Sequence, residues 1–163
     1  MQARARAPPN RPREHASAES RLASGGRADS VRAIDHPTFQ RWLDAYIEAW
    51  RTYDERAIAD LFSEDARYRY RPWDEGDEVL EGRAAIVASW RGDQDEPGTW
   101  TAEYAPWAVD GARAVAVGVS RYFAPDGSTV EREYHNVFLC HFDDDGRCSE
   151  FTELFMLRKA GTG

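Results

Sequence analysis

The sequence predicts an α+β domain in which three helices pack on one face of a strongly curved antiparallel sheet. Three observations carry this prediction: helical spacing of apolar residues between positions 39 and 50, alternation of face over residues 66–71, and three short turns after residue 99. The order helix, helix, strand, helix and then four strands is typical of helices segregated to one sheet face. We expect such a sheet to curl into a cone-shaped α+β barrel that encloses a pocket between sheet and helices.

The three helices are predicted from capping residues and periodicity. Pro37 suits the first turn of a helix that continues to about Thr52 with a strongly apolar face. Asp54 has the character of the N-cap of a second, short helix. The pair Gly82-Arg83 opens the third helix.

The strands are predicted from alternation and turn residues. Residues 66–71 place Tyr68 and Tyr70 on a dry face and three Arg on the other face. An acidic loop that contains Trp73 follows, up to Glu81. Four further strands are expected over residues 99–109, 112–123, 130–142 and 147–157. The turns between these four strands are short, which predicts consecutive antiparallel hairpins.

Charge is distributed unevenly along the chain. The 163 residues carry a net charge of −8, and residues 1–34 carry +4 from seven Arg and three acidic residues, which leaves −12 for the remainder. We expect residues 1–34 to be a disordered basic tail, residues 35–158 to form the domain, and residues 159–163 to be a disordered C-terminal end. The acidic domain argues against nucleic acid as its partner.

Composition also predicts the compartment. No apolar run approaches the ~20 residues that cross a membrane. Residues 1–34 lack the apolar stretch of ~7–15 residues that a signal peptide needs. Cys140 and Cys148 are the only cysteines, and we expect both to be reduced. The sequence therefore predicts a cytoplasmic protein that does not enter a membrane.

Glu153 is the strongest candidate for a catalytic residue. It lies in the last predicted strand and shares a face with Phe151, Phe155 and Leu157, because residues two apart in a strand point the same way. A carboxylate on this apolar face loses water, which raises its pKa toward neutrality and suits it to act as an acid or base. The alternative is a structural carboxylate paired with an Arg or reaching solvent.

Strand parity decides which residues of segment 130–142 face the pocket. Alternation along this segment places Tyr134, Asn136 and Phe138 on the pocket face and His135 on the opposite face. A β-bulge would exchange the two sets, so His135 remains a candidate as well. A buried amide must find partners or a ligand, which makes Asn136 a candidate for binding substrate.

Short motifs lie in a fixed order along the chain. They are Tyr46-Ile47-Glu48, Asp54 with Ile58, Ser63-Glu64-Asp65-Ala66, Glu81-Gly82-Arg83 with Ile86 before Trp90, and Phe142-Asp-Asp-Asp-Gly-Arg147. In this order they resemble the nuclear transport factor 2-like superfamily, which includes SnoaL-like polyketide cyclases and ketosteroid isomerases. The resemblance covers about residues 37–157. It implies the cone-shaped fold, whereas the activity is left open because this fold hosts many activities.

The resemblance to the isomerases implies a role for Tyr46. This residue matches the helix tyrosine that donates a hydrogen bond to the oxyanion in those enzymes. The position of their general base is occupied here by Tyr70, and that of their second oxyanion donor falls near Phe138. Since Tyr70 is no base at neutral pH, the steroid isomerase set is incomplete and that activity is not predicted.

The resemblance to two other groups of enzymes with this fold implies further pairs of catalytic residues. In SnoaL-like cyclases an acidic residue and a His act on an acidic C–H bond, and Glu153 with His135 resembles that pair. Limonene-type epoxide hydrolases hold an Arg between two carboxylates. Arg132 with Glu153 would supply half of that arrangement, which makes this the less favoured reading.

Two classes of function follow from the sequence. The first is a cofactor-free cyclase, isomerase or hydrolase acting on an apolar small molecule through Glu153, His135 and Tyr46, with no metal. The residues expected to bind its substrate are Tyr70, Trp73, Trp90, Tyr134, Asn136, Phe138, Phe151 and Phe155. The second is a non-catalytic ligand-binding or dimerisation module. In either case a homodimer is expected through the outer sheet face, which carries an apolar patch.

Overall fold

The computed structural model describes residues 33–158. The predicted tail up to residue 32 and the predicted C-terminal end at residues 159–163 lie outside the described residues. Ile34, which was expected to belong to the tail, is buried, and its N–H donates to the carbonyl of Gly111 at 2.9 Å. The folded part therefore includes Ile34.

The side chains of Asp35 and Asp54 cap the first two helices, whereas the third has no side-chain cap. Helix α1 spans His36–Thr52, and the Asp35 side chain caps it by accepting from the Thr38 N–H at 2.8 Å. Helix α2 spans Glu55–Leu61, and Asp54 accepts from the Ala57 N–H at 2.8 Å. Helix α3 spans Arg83–Gly92. Each cap satisfies a backbone donor that the first helical turn leaves unpaired.

Six strands form one sheet. They are β1 (Phe62–Arg69), β2 (Leu80–Glu81), β3 (Trp100–Asp110), β4 (Arg113–Phe123), β5 (Val130–Phe142) and β6 (Cys148–Leu157). Their order in the sheet is β2-β1-β6-β5-β4-β3. The short strand β2 and the 3-10 turn Gly76–Glu78 lie in the segment that was expected to be a loop.

The α+β prediction is confirmed, and the sheet differs from it in one respect. Strands β3 to β6 pair antiparallel with their chain neighbours, as expected, but β1 runs parallel to β6. The chain passes from β1 through β2 and α3 to the far edge of the sheet, and the meander then brings β6 back beside β1. The sheet is therefore mixed rather than purely antiparallel, and it is open, with β2 and β3 at its edges.

The space between the helices and the sheet is filled largely by aromatic rings. Trp42 and Tyr46 of α1 lie against Phe151 of β6, with ring centroids 6.2 and 5.6 Å away. Phe39 and Phe142 close one end of this core at 5.7 Å. Within residues 33–158, no helix is long and apolar enough to cross a membrane.

Candidate functional site

Glu153 lies on the inner face of β6, inside the aromatic core. Glu153 is 3% exposed, and it lies opposite Phe138 of β5 in the strand register. Phe151, two residues earlier on the same face, is fully buried. Among the described residues, the Glu153 Oε2 atom has no hydrogen-bond partner. A buried carboxylate with an unsatisfied oxygen is rare in a folded protein, because an unpaired buried polar atom lowers stability.

Burial changes the acidity of this carboxyl group. Loss of water around the charged form raises the pKa of Glu153 to about 7. At neutral pH the protonated and ionised forms are therefore both populated. A group with this pKa is able to take a proton and to return it, which is what a general acid–base catalyst requires.

Two tyrosine hydroxyl groups lie in contact within the same core. The hydroxyls of Tyr46 in α1 and Tyr68 in β1 are 3.1 Å apart, and both residues are buried. Burial raises both pKa values well above the ordinary value, and the charge of Glu153 adds to this rise. Both hydroxyls therefore stay protonated. One of them donates to the other, which leaves one hydroxyl hydrogen to donate to an oxygen that gains negative charge.

A second cluster of polar side chains is centred on Asn136 of β5. Its Nδ2 atom donates to the hydroxyl of Tyr104 at 2.8 Å and to Oγ of Ser120 at 3.4 Å. Asn136 is 2% exposed, and its Oδ1 atom has no hydrogen-bond partner among the described residues. Asn136 lies diagonally across from Glu153, since it pairs with Phe155 while Glu153 pairs with Phe138. The two unsatisfied oxygens thus belong to neighbouring positions of the inner sheet face.

Aromatic rings build the surroundings of these polar groups. The Phe138 ring lies 4.5 Å from that of Tyr104 and 4.9 Å from that of Phe151. Trp90 of α3 is fully buried, packs edge-on against Tyr46 at 5.0 Å, and leaves its Nε1 atom without a partner among the described residues. Of the predicted substrate-binding residues, Trp90, Asn136, Phe138 and Phe151 therefore come together around Glu153 and Tyr46.

Three other predicted residues, Tyr70, Tyr134 and Phe155, are half-buried. The Tyr134 ring is 5.9 Å from that of Phe155 and 6.0 Å from that of Tyr122. The Tyr70 hydroxyl lies 3.2 Å from Oγ of Ser89. Asp95 joins Tyr122 to α1, because its Oδ2 atom accepts from the Tyr122 hydroxyl at 3.3 Å and from the Trp50 Nε1 at 3.0 Å.

His135 does not meet Glu153, contrary to the hypothesis of a His–Glu pair. Its side chain is 52% exposed on the outer face of β5, and its Nε2 lies 3.3 Å from Oε1 of Glu133. On β5 the ladder irregularities lie between Val130 and Arg132 and between His141 and Phe142, so the pairing is regular at His135 and the expected parity holds there. Hydrogen bonds from Arg158, Arg121 and His135 lower the pKa of Glu133 to about 2. His135 thus belongs to a surface charge network.

Trp73 and Arg132 also lie away from Glu153. Trp73 is 60% exposed on the loop after β1, outside the aromatic core. The Arg132 guanidinium lies 4.6 Å from the centre of the Tyr122 ring, a cation–π contact, and not beside Glu153. The Arg132–Glu153 half-arrangement, which was the less favoured reading of the sequence, is therefore not formed.

Two depressions on the surface of residues 33–158 are not lined by Glu153. One has a volume of about 750 Å³ and lies between α2 and α3, beside Glu64 of β1. The other, of about 300 Å³, lies on the sheet and is lined by residues of β4, β5 and β6 that include His135 and Met156. Within residues 33–158, no group of three His, Cys, Asp or Glu residues is arranged to hold a metal ion.

Tyr68, Tyr104 and Ser120 were not singled out from the sequence. Tyr68 was assigned to the dry face of its strand, which was the available signal for its burial. Tyr104 lies opposite Gly118 in the register of β3 and β4, a relationship that depends on the strand pairing. Nothing local to Tyr104 indicates that its hydroxyl reaches a residue two strands away.

The chain belongs to the SnoaL-like domain family, whose model matches residues 43–151. No curated protein matches its sequence significantly. This assignment agrees with the resemblance to the nuclear transport factor 2-like superfamily.

Solved structures with the same fold are numerous. An NTF-2 like protein of unknown function from Burkholderia xenovorans has a TM-score of 0.58 at 17% identity, over 78% of this chain and 89% of that one. A putative ketosteroid isomerase from Kribbella flavida has a TM-score of 0.54 at 18% identity, over 79% and 85%. An LEH-like epoxide hydrolase from M. tuberculosis has a TM-score of 0.52 at 15% identity, over 74% and 84%. At these identities the likeness establishes the fold alone.

Proposed function

We propose that this protein is a cofactor-independent enzyme that moves a proton within an apolar small molecule, as an isomerase or a cyclase does. The observation that carries the proposal is Glu153, a buried carboxyl group with an unsatisfied oxygen and a pKa of about 7. A purely structural carboxylate would be expected to have a cationic partner or several donors.

The chemistry proposed for Glu153 is proton abstraction next to a carbonyl group. The ionised carboxylate takes a proton from the carbon, and the electron pair of that C–H bond moves to give an enolate. In an isomerase the substrate has a β,γ double bond, so the electron pair spreads over a dienolate, and Glu153 returns the proton to the γ carbon while the double bond moves to the α,β position. In a cyclase the enolate carbon attacks a second carbonyl carbon of the same molecule, the π electrons of that C=O bond move to its oxygen, and Glu153 returns the proton to this oxygen. Either route conserves atoms and electrons without an added cofactor.

Tyr46 is the proposed donor to the enolate oxygen. Its hydroxyl stays protonated because burial raises its pKa, and it lies 3.1 Å from the hydroxyl of Tyr68. Donors that are fixed in a dry site stabilise a developing oxyanion strongly, because little reorganisation is needed during the reaction. The rings of Trp90, Phe138 and Phe151 supply apolar walls for the substrate. Since Glu153 is only 3% exposed, these rings must move apart when the substrate enters.

A hydrogen-exchange experiment tests this proposal without knowledge of the natural substrate. The probe is 2-tetralone, an apolar ketone with an acidic C–H bond, and deuterium uptake from D₂O is followed by proton NMR. We expect the protein to accelerate exchange over buffer and the Glu153→Gln variant to lose about 10²- to 10⁴-fold of the acceleration. The matched control is Glu150→Gln, on the same strand but with a side chain 59% exposed, which should exchange at the original rate. Equal rates for the protein and Glu153→Gln would exclude Glu153 as the base.

A second candidate function is a non-catalytic module that binds ligands or dimerises. The outer sheet face favours it, because Leu139 is 43% exposed and Met156 63% exposed beside the depression of about 300 Å³. Exposed apolar patches of this kind commonly mark an interface. We propose that this face forms a homodimer, which is compatible with catalysis in the core. If 2-tetralone is not exchanged and a dimer forms, the module is the better account.

The compartment is proposed to be the cytoplasm. Cys140 and Cys148 lie on the neighbouring strands β5 and β6 and are both free thiols. Free cysteines on adjacent strands suit a reducing compartment. Thiol titration of protein isolated under an alkylating agent tests this, and a Cys140–Cys148 disulfide would contradict it.

A further inference from the structure

The core around Glu153 has the chemistry to bind a second class of ligand, beyond the ketones of the proposed function. We infer that it binds an apolar molecule that carries a protonated amine, whose ammonium group pairs with the Glu153 carboxylate. Such a ligand blocks the carboxylate as a base, because a paired carboxylate takes up a proton less readily. The inference does not require Glu153 to be catalytic, and it does not exclude 2-tetralone, since a neutral ketone needs no charge at position 153.

The first step is the charge balance of the core. The buried polar and charged side chains within residues 33–158 include no Arg, Lys or His; they are Ser63, Asp74, Ser120, Asn136 and Glu153. Asp74 has Arg71 as an ion-pair partner at 2.9 Å, whereas Oε2 of Glu153 has no partner among these residues. The core therefore contains a carboxylate without a counter-charge. A cationic ligand supplies that charge, and only the ligand has to leave water, because the carboxylate is already buried.

The second step is the set of aromatic rings around this carboxylate. Phe138 lies opposite Glu153 in the strand register, and Phe151 precedes Glu153 on the same face. The Tyr46 ring lies 5.3 Å from that of Phe138, and the Tyr68 ring lies 4.5 Å from that of Phe151. The faces of aromatic rings attract cations, and the attraction is stronger where water is excluded. Carboxylate and rings together favour an organic ammonium group over a neutral alcohol of the same shape.

The third step is the position of Glu153 relative to solvent. Along the inner face of β6, Phe151 is fully buried, Glu153 is 3% exposed and Phe155 is half-buried. Glu153 is therefore the last buried position on this face before the strand ends. The Tyr134 ring lies 5.9 Å from that of Phe155 and is half-buried as well. A ligand that enters between these two rings brings its ammonium group to Glu153 while its hydrocarbon part stays among aromatic side chains.

The titratable groups that face Glu153 stay uncharged near neutral pH. Burial is the chief cause of a raised pKa in all of the tyrosines that the charge of Glu153 reaches, which are Tyr46, Tyr68, Tyr70, Tyr104 and Tyr122. Burial also raises the pKa of Cys140 on the neighbouring strand β5. Since burial raises the pKa of Glu153 to about 7, its ionisation is the change that these groups experience between pH 5 and 8.

Other charged side chains near this core contact different partners. Asp95 and Arg132 both contact Tyr122, through a hydrogen bond and a cation–π contact respectively. The His135 side chain is 52% exposed, and Nδ1 of His141 lies 3.0 Å from Oγ of Ser149. A pH-dependent affinity for amines that is lost with Glu153 is therefore assigned to this carboxylate.

The matched probes are 2-aminotetralin and 2-tetralol, which share one bicyclic skeleton and differ in one substituent. The amine is protonated below about pH 10, as alkylamines are. Dissociation constants are measured by isothermal titration calorimetry at pH 8 and at pH 5. At pH 8 we expect the amine to bind roughly tenfold more tightly than the alcohol, since its N–H groups donate to a charged acceptor. At pH 5 the ratio should fall to about one, because Glu153 is protonated.

Two variants locate the origin of that preference. Glu153→Gln removes the charge and keeps the shape, so the ratio at pH 8 should be about one. Glu150→Gln removes a carboxylate that is 59% exposed on the same strand, and the ratio should persist. If Glu153→Gln does not fold, the ¹³C shift of the Glu153 carboxyl group in the parent protein replaces it. Bound 2-aminotetralin should then lower the midpoint of the Glu153 titration below about 7, and bound 2-tetralol should not lower it.

The outcomes separate this inference from the proposed function. Equal binding of the two probes at pH 8, no binding of either at millimolar concentration, or a preference that survives Glu153→Gln would overturn the inference. A preference that is lost equally in Glu150→Gln would assign it to the net charge of the domain and would also overturn it. Deuterium exchange of 2-tetralone without a preference for the amine would leave the proposed function standing. A preference for the amine without exchange would establish the binding site and refute the proposed catalysis.

Discussion

The hydroxyl of Tyr46 in helix α1 lies 3.1 Å from the hydroxyl of Tyr68 in strand β1. This contact joins the helical layer to the sheet inside the aromatic core. The two tyrosines are 22 residues apart in the chain. It also orients Tyr46, the residue that the resemblance to the isomerases connects with an oxyanion. Tyr68 fixes the position of that hydroxyl without being required to touch a substrate.

Removing the Tyr46 hydroxyl tests its role as the oxyanion donor. In Tyr46→Phe we expect the deuterium exchange of 2-tetralone to fall by about 10²- to 10³-fold, the range for loss of one such donor. In Tyr68→Phe the loss should be smaller, since Tyr46 keeps its hydroxyl and loses only its orientation. Tyr53→Phe, which removes a buried hydroxyl bonded to the Asp95 backbone, is the control and should exchange normally. A larger loss in Tyr68→Phe than in Tyr46→Phe would reverse the assignment.

Protein stability should depend on pH through Glu153. The ordinary pKa of 4.5 applies in the unfolded chain, and the folded value is about 7. Between these values the folded protein holds a proton that the unfolded chain has released. Stability is therefore fully present below pH 4.5 and falls as pH rises to about 7, by about 3 kcal/mol in total.

The measurement is urea unfolding of the protein and of Glu153→Gln at several pH values. The difference between the two free energies of unfolding cancels the contributions of the other groups. We expect Glu153→Gln to gain stability relative to the parent between pH 4.5 and 7. A difference that stays constant over this range would show that the Glu153 pKa is the same in both states.

Gly118 should be intolerant of any side chain. In Gly118→Ala the new methyl group meets the Tyr104 ring and a backbone carbonyl, so strand β3 or the ring must shift. We expect a loss of about 1–3 kcal/mol in the free energy of unfolding, as for other overpacked sites. Gly92→Ala is the matched control, because a Cβ atom there meets nothing within 4 Å. Equal stabilities of the two variants would contradict the close approach of Tyr104.

The homodimer proposed for the outer sheet face is tested by charge insertion. Leu139→Glu places a carboxylate in the apolar patch and should convert a dimer to a monomer in light scattering at micromolar concentration. Val130→Glu is the control, since Val130 is on the same strand and 44% exposed against 43% for Leu139. A parent protein that is already monomeric would contradict the proposal directly.

Much of the fold was predictable because local signals agreed with one another. Asp35 and Asp54 cap the first two helices, as side chains at N-caps do, and the turns after residue 99 define the meander. The parallel pairing of β1 with β6 was missed because it depends on where the meander ends, which no local pattern encodes. A register between strands distant in sequence is a tertiary property.

The candidate site was predictable to a similar extent. Alternation alone placed Glu153, Asn136 and Phe138 on the buried face, because a strand has a period of two. It left His135 open, since a single bulge would have reversed its direction. Tyr104 was missed because its hydroxyl reaches Asn136 across two strand pairings, made possible by Gly118.

The pKa of Glu153 is the quantity on which the account most directly depends. It can be measured from the ¹³C chemical shift of the side-chain carboxyl group, followed by NMR between pH 3 and 9 and assigned by comparison with Glu153→Gln. The account predicts a midpoint of about 7, because burial penalises the charged form. A midpoint near 4.5 would mean that the carboxylate is solvated or paired, and would contradict its role as a neutral-pH acid and base.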